Sequence, residues 1–340
     1  MNNVFAMTAA GVIAFAVTVL LGFVLIPYLH KLKFGQTILD IGPKWHKKKQ
    51  GTPTMGGIMF VVAVVCAVIV VFLTDKIMGG DLVGGNSIVK TPLYTRFWSG
   101  LIMALGFAVV GFLDDYIKVV KKRNLGLTII QKTVIQTGLC ICYLMSMYMT
   151  GDNRMLVPFV GYVPMGWFYW IFGICVIYGS INAVNFTDGI DGLCSSVTVT
   201  AAASFIVIAF LQKNMGAGIL SSALLGGCAG FLVWNKNPAR VFMGDTGSMF
   251  LGGMTVAISY MLECPLILLP VGIVYVIEAL SDVIQIGYFK LTHGKRIFKM
   301  APIHHHFEMS GWSEKKIVTV FSLVNAIGGL AGILIIYFGK

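Results

Sequence analysis

Long apolar runs separated by short polar stretches set the first expectation for this chain. A helix needs roughly 20 residues to cross the hydrocarbon core of a bilayer. Runs near that length recur at 4–29, 55–73, 97–113, 128–148, 164–180, 193–211, 216–234, 248–262, 265–288 and 316–338. The pattern predicts an all-α, polytopic integral membrane protein with about ten transmembrane helices. No polar stretch is long enough for a second, water-soluble unit, so 1–340 reads as one transmembrane domain.

Composition agrees, with 57% hydrophobic and only 11% charged residues, too little polar surface for a water-soluble protein. The net charge of +11 is unevenly placed. With the first long loop inside, the basic residues of 31–49, 118–132, 236–240 and 290–316 share one side, leaving Lys76, Lys90, Arg96, Arg154, Lys213 and Lys340 on the other. Positive loops stay cytoplasmic, and an even number of spans then puts both termini outside the cytoplasm. The same loops form a field that attracts an anionic substrate. Met1-Asn2-Asn3 lacks the basic start of a cleavable signal, so the first helix is expected to remain. The seven cysteines form no CxxC pair and read as small packing residues.

Chemistry gathers at the expected cytoplasmic ends of the spans. Lys49 and Gly51-Thr52-Pro53-Thr54-Met55-Gly56-Gly57 open the second span with hydroxyls, a proline and glycines, the makings of an anion-facing helix start. The third span ends on Asp114-Asp115, followed by Lys118. Carboxylates at a helix C-terminus oppose the macrodipole, and adjacent ones repel unless a cation or proton intervenes. They therefore point to a divalent metal or a proton acceptor. The 182–192 connection carries Asn182, Asn185, Asp188 and Asp191 without a Lys or Arg; a helical turn there would let the two aspartates face one ligand.

Further along, Phe242-Met243-Gly244-Asp245-Thr246-Gly247-Ser248 sets an aromatic face beside glycines and a carboxylate. That combination suits base stacking, phosphate approach and magnesium ligation. Glu278, Ser281, Asp282 and Gln285 fall on one stripe of the ninth span, and charges inside a span must face protein or a cavity. His304, His305 and His306 follow in the last long loop. Consecutive imidazoles rarely converge on one zinc ion, so contact with phosphate or sugar hydroxyls is the expectation. GxxxxGK[ST] and GxGxxG are both absent, which removes support for a P-loop or Rossmann enzyme.

In order, GTPTMGG, FLDDYIK, NAVNFTDGIDGL, MGDTGS and APIHHHFE on ten spans resemble the phospho-N-acetylmuramoyl-pentapeptide transferase family, within the polyprenyl-phosphate N-acetylhexosamine-1-phosphate transferase superfamily. The resemblance implies a multi-pass enzyme of the bacterial inner membrane. It implies transfer of phospho-MurNAc-pentapeptide from UDP-MurNAc-pentapeptide to undecaprenyl phosphate, giving lipid I and UMP, with Mg²⁺ required. It also implies a homodimer and no nucleic-acid partner. By the same resemblance Asp114, Asp115, Asp245 and His304 are the catalytic candidates and Asp245 the metal ligand. Lys49, Thr54, Lys132, Asn182, Asn185, Asp188, Asp191, Phe242, Gln285, His305 and His306 are the substrate-binding candidates. A bent or broken ninth span is implied too, although no proline after Pro270 locates the bend.

Overall fold

The predicted apolar runs fold as helices: α1 (Asn3–Lys31), α2 (Ile58–Ile77), α3 (Thr91–Val120), α4 (Ile129–Met149), α5 (Phe168–Thr187), α6 (Leu193–Leu211), α7 (Met215–Asn235), α8 (Gly244–Met261), the short α9 (Leu268–Val271), α10 (Ile273–Leu291), the short α11 (Ile303–Glu308) and α12 (Glu314–Phe338). This computed structural model describes residues 2–32, 49–84, 91–121, 125–151 and 153–339. Lys33, Lys44, Lys47, Lys48, Lys90, Lys122, Arg123 and Lys340, part of the charge asymmetry, lie outside the described residues. Polar side chains start several helices: Asn2 accepts from the Val4 N–H, Asn214 from Ala217, Ser313 from Lys316, and Thr128 forms a capping box with Gln131.

Large apolar side chains stay exposed along the outer faces, such as Phe5, Leu20 and Phe23 on α1 and Leu323, Ile327 and Leu330 on α12. In a membrane these faces meet lipid, so their exposure carries no hydrophobic cost. Among the described residues eight helices are long and apolar enough to cross, or nine when the bent α9–α10 pair counts as one span. The predicted span outside that count is the eighth, which corresponds to α8, whose glycines, hydroxyls and Asp245 lower its hydropathy. Helix α8 can carry them because protein surrounds it. Every residue from Thr246 to Met261 is buried, and α3 and α5 pack along it. Small residues permit the approach: a Cβ on Gly57 at the head of α2 would lie 2.3 Å from the Gly247 Cα.

Two features depart from the sequence expectation. A small antiparallel hairpin, β1 (Arg154–Val157) with β2 (Gly161–Pro164), precedes α5, where the pattern had a span beginning at 164. It rests on the bundle end through Leu156 N–H to Glu263 O at 2.8 Å and Phe159 N–H to Gly339 O at 2.9 Å. The second is α3, which runs on to Val120 and so holds Asp114 and Asp115 within the helix, not at its end.

The ninth span bends by 86° between Pro265–Val271 and Ile273–Leu291. Pro270 lacks an N–H and Gly272 takes φ −112°, ψ 32°, so the ladder breaks here. Broken backbone groups inside a membrane need new partners. Asn325 of α12, fully buried, supplies them: its amide donates to Val271 O at 3.0 Å and to Thr200 Oγ1 at 2.9 Å, and its oxygen accepts from Val274 N–H at 3.3 Å. A helix that could have drifted is thereby pinned, and α10 carries Glu278 toward the chemistry.

Candidate active site

The site is assembled where the start of α8 meets the last turns of α3. Gly244 opens α8 at φ +70°, a region glycine tolerates. A Cβ there would also lie 2.5 Å from Asp115 Oδ2 and 2.8 Å from Thr54 Oγ1. Asp115 accepts from the backbone N–H groups of Asp245 (3.2 Å) and Thr246 (3.0 Å) and from the Thr246 hydroxyl (2.8 Å). It thus caps α8 from a neighbouring helix, satisfying groups that a helix start leaves free. The clash with its own helix dipole that the sequence implied is answered by another helix's N-terminus.

Asp114, also buried, accepts from Leu127 N–H at 2.8 Å and pairs with Lys118 at 2.6 Å. Asp245 receives Lys132 at 2.9 Å and Lys118 at 3.2 Å on one oxygen and the Asn185 amide at 3.1 Å on the other. Burial, followed by the negative charges of Asp245, Asp115 and Asp191, pushes Asp188 up to about 8. Asp114, Asp115 and Asp245 each offer an oxygen, all within 4.8 Å of one another. Such hard oxygen donors fit magnesium, and a carboxylate already accepting hydrogen bonds retains lone pairs for an ion.

The other predicted residues divide into those at this centre and those committed elsewhere. Lys132, Asn185 and Thr54 stand at the centre, and the Asn185 amide also donates to Ser248 Oγ at 2.8 Å. Asn182 lies on the same helix but donates to Tyr178 O at 2.8 Å and toward Gln136 Oε1 at 3.4 Å. Phe242, half-buried, has its backbone tied to Pro53 and Gly56, which brings the 51–57 segment beside α8. The 188–192 segment is a turn and not a helix, so Asp188 and Asp191 do not share a face. Asp191 is engaged by Lys49 (2.7 Å), Asn237 (3.2 Å) and the Ala239 N–H (2.9 Å), and Lys49 also meets the Glu314 carboxylate at 2.7 Å. This knot fastens the first basic loop to three other segments.

The three histidines take different partners, although the His304 and His305 rings lie against each other with centroids 4.1 Å apart. His304 is fully buried with Nδ1 3.0 Å from Glu278 Oε2; its Nε2 has no hydrogen-bond partner among the described residues and lies against Gly189, beside Asp188. His305 pairs with Glu308 at 2.6 Å, and His306 accepts from Lys299 N–H at 3.1 Å. Gln285 is tied to the loop, donating to Phe298 O at 2.9 Å and accepting from Ile297 and Phe298 N–H at 3.1 Å. Lys118, Ser248 and Glu314 were not among the predicted site residues. Only Lys118 left a local signal, its spacing of four from Asp114 on a helix.

Residues 97–263 match the model of the glycosyl transferase family 4 domain, and residues 49–61 match phospho-N-acetylmuramoyl-pentapeptide-transferase signature 1. The chain is 44% identical over 338 residues to the phospho-N-acetylmuramoyl-pentapeptide-transferase of Listeria monocytogenes serotype 4b (strain CLIP80459), covering 99% of this chain and 100% of that protein. It is 43% identical over 340 residues to the protein of the same name from Bacillus thuringiensis (strain Al Hakam), covering 98% and 97% of the two chains.

Proposed function

Since this chain belongs to the phospho-N-acetylmuramoyl-pentapeptide-transferase family, a family of multi-pass bacterial membrane phosphosugar transferases, we propose that it carries out the whole reaction through residues 1–340 as one domain. It takes phospho-MurNAc-pentapeptide from UDP-MurNAc-pentapeptide and places it on undecaprenyl phosphate, forming lipid I and releasing UMP. Supporting this reading above all is the meeting of Asp114, Asp115 and Asp245 with Lys118 and Lys132 at one end of the bundle. Both substrates are anions, one arriving from water and one from lipid, and that end is where a charged centre meets both. By the rule that positive loops stay inside, its side is the cytoplasmic one in this reading, with both termini outside.

Asp245, flanked by Asp114 and Asp115, would hold magnesium, which when bound neutralises charge developing on the pyrophosphate. The chain's own groups do the rest. Asp114 positions the lipid phosphate for in-line attack on the sugar-linked phosphorus. A phosphate monoester is largely ionised near neutral pH, so little is asked of Asp114 as a base. Lys132 and Lys118 offer ammonium groups to phosphate oxygens, and Phe242 offers a ring face to uracil. Asn182, Asn185, Asp188 and Thr54 border the nucleotide. His304, held by Glu278 and packed against Gly189, sets the sugar-phosphate side of the site together with His305 and His306. Lys49, Asp191 and Gln285 act by holding the loops that line the pocket. A homodimer completes the reading on family grounds.

The test is UMP release by purified protein given undecaprenyl phosphate and either UDP-MurNAc-pentapeptide or UDP-GlcNAc, with and without magnesium. Magnesium-dependent release from the first donor alone is expected. Release from UDP-GlcNAc alone would make the protein a sibling hexosamine-phosphate transferase, and no release from either would end the proposal.

A further inference from the structure

Lys118 stands between two of the three clustered carboxylates. Its ammonium nitrogen is 2.6 Å from Asp114 and 3.2 Å from Asp245 Oδ2, and Lys132 reaches that same Asp245 oxygen at 2.9 Å. The carboxylate oxygens are themselves within 4.8 Å of one another, close to the ~4.2 Å between opposed oxygen ligands of a magnesium ion, so only a small inward shift would be needed to hold one. An ammonium bridging carboxylates and a divalent ion bridging carboxylates satisfy the same electrostatic need. They repel each other when both are present, and one Asp245 oxygen has too few lone pairs for two ammonium groups and a metal ion.

We infer that Lys118 is a place-holder for the divalent cation, neutralising the carboxylates until the ion enters and then leaving Asp245 for an incoming phosphate oxygen. The inference rests on the magnesium-dependent reading above. Lys118 is the group that moves: its side chain is 33% exposed against 23% for Lys132. The bond to Asp114 comes from helical i,i+4 geometry and survives a small rotation of the lysine tip. Lys132 approaches from α4, and among the described residues its carboxylate contact is Asp245. Lys118 is thus a positioning residue whose removal has effects of opposite sign on metal and on nucleotide.

The experiment uses Mn²⁺ as a paramagnetic probe of purified full-length protein without nucleotide, followed by electron paramagnetic resonance. Lys118→Met and Lys118→Gln should bind Mn²⁺ about tenfold more tightly than wild type, the equivalent of one charge-assisted contact removed from competition. The same variants, saturated with Mn²⁺, should bind UMP more weakly. Loss of packing alone would weaken both. In wild-type protein, amine labelling read by mass spectrometry should show Lys118 becoming more reactive on addition of Mg²⁺ while Lys132 does not. Asp245→Asn should abolish Mn²⁺ binding, and retention of wild-type binding there would sink the metal site and this inference together. Loss of binding in Asp245→Asn, with unchanged or weaker Mn²⁺ affinity in both Lys118 variants, or with no change in Lys118 labelling, would overturn the place-holder role alone.

Discussion

Replacing Asn325 with leucine should destabilise the protein by about 2–4 kcal/mol, from the burial of two unpaired backbone groups at about 1–3 kcal/mol each, less what the leucine recovers in packing. Asn325 is fully buried and serves the break in the ninth span from both sides, accepting from Val274 N–H and donating to Val271 O. Leucine matches the volume but can do neither. The 86° bend leaves those groups without helical partners of their own, and there is no water in the hydrocarbon region to replace the amide. The figure is kept to the lower part of the summed range because interhelical hydrogen bonds in membranes average about 0.6 kcal/mol in double-mutant cycles. Reversible unfolding in bicelles, comparing wild type with Asn325→Leu, reads the stability directly. Asn325→Asp serves as the companion, retaining the acceptor for Val274 while losing the donor for Val271. An unfolding free energy for Asn325→Leu within about 0.5 kcal/mol of wild type, with activity intact, would refute the claim that this amide holds the break.

Asp115→Asn should cost about 1–3 kcal/mol of stability as well as activity, because an amide nitrogen placed toward the Thr246 N–H and hydroxyl leaves donors facing donors. A variant as stable as wild type would make Asp115 a group for chemistry alone and not the cap of α8. Asp188, pushed up to about 8, is protonated in the metal-free fold at neutral pH, whereas the unfolded chain carries it near 3.8. Its share of stability is therefore greatest at low pH and falls as pH rises between those values, while Mn²⁺ affinity rises through the region near 8. Asp188→Asn should flatten both trends, and identical pH profiles for variant and wild type would count against the assignment. Phe242→Ala should weaken binding of the UDP donor by about 1–3 kcal/mol, the range for loss of one aromatic stack, as measured by calorimetry; unchanged affinity rules the stack out.

Hydropathy made the helical, membrane-embedded architecture legible, since each span's length and greasiness is a local property that lipid reads directly. The polar clusters were legible for a related reason: carboxylates, amides and histidines in an otherwise apolar chain stand out and imply a shared task. Nothing local, however, says that Asp115 caps a helix through the Asp245 N–H, 130 positions later, or that Lys49 and Gln285 spend their polar atoms holding loops. The first pairing exists because a glycine notch brings α3 against the start of α8: a Cβ on Gly111 would lie 2.1 Å from Asp245 O. The bend at Gly272 follows the same logic. Pro270 and glycine permit a break, but Asn325 on α12 makes it affordable in lipid and aims α10. Composition and order along the chain decide which groups must leave water or face lipid. Which carboxylate meets which ammonium depends on distances of a few ångströms, and only the packed helices set those.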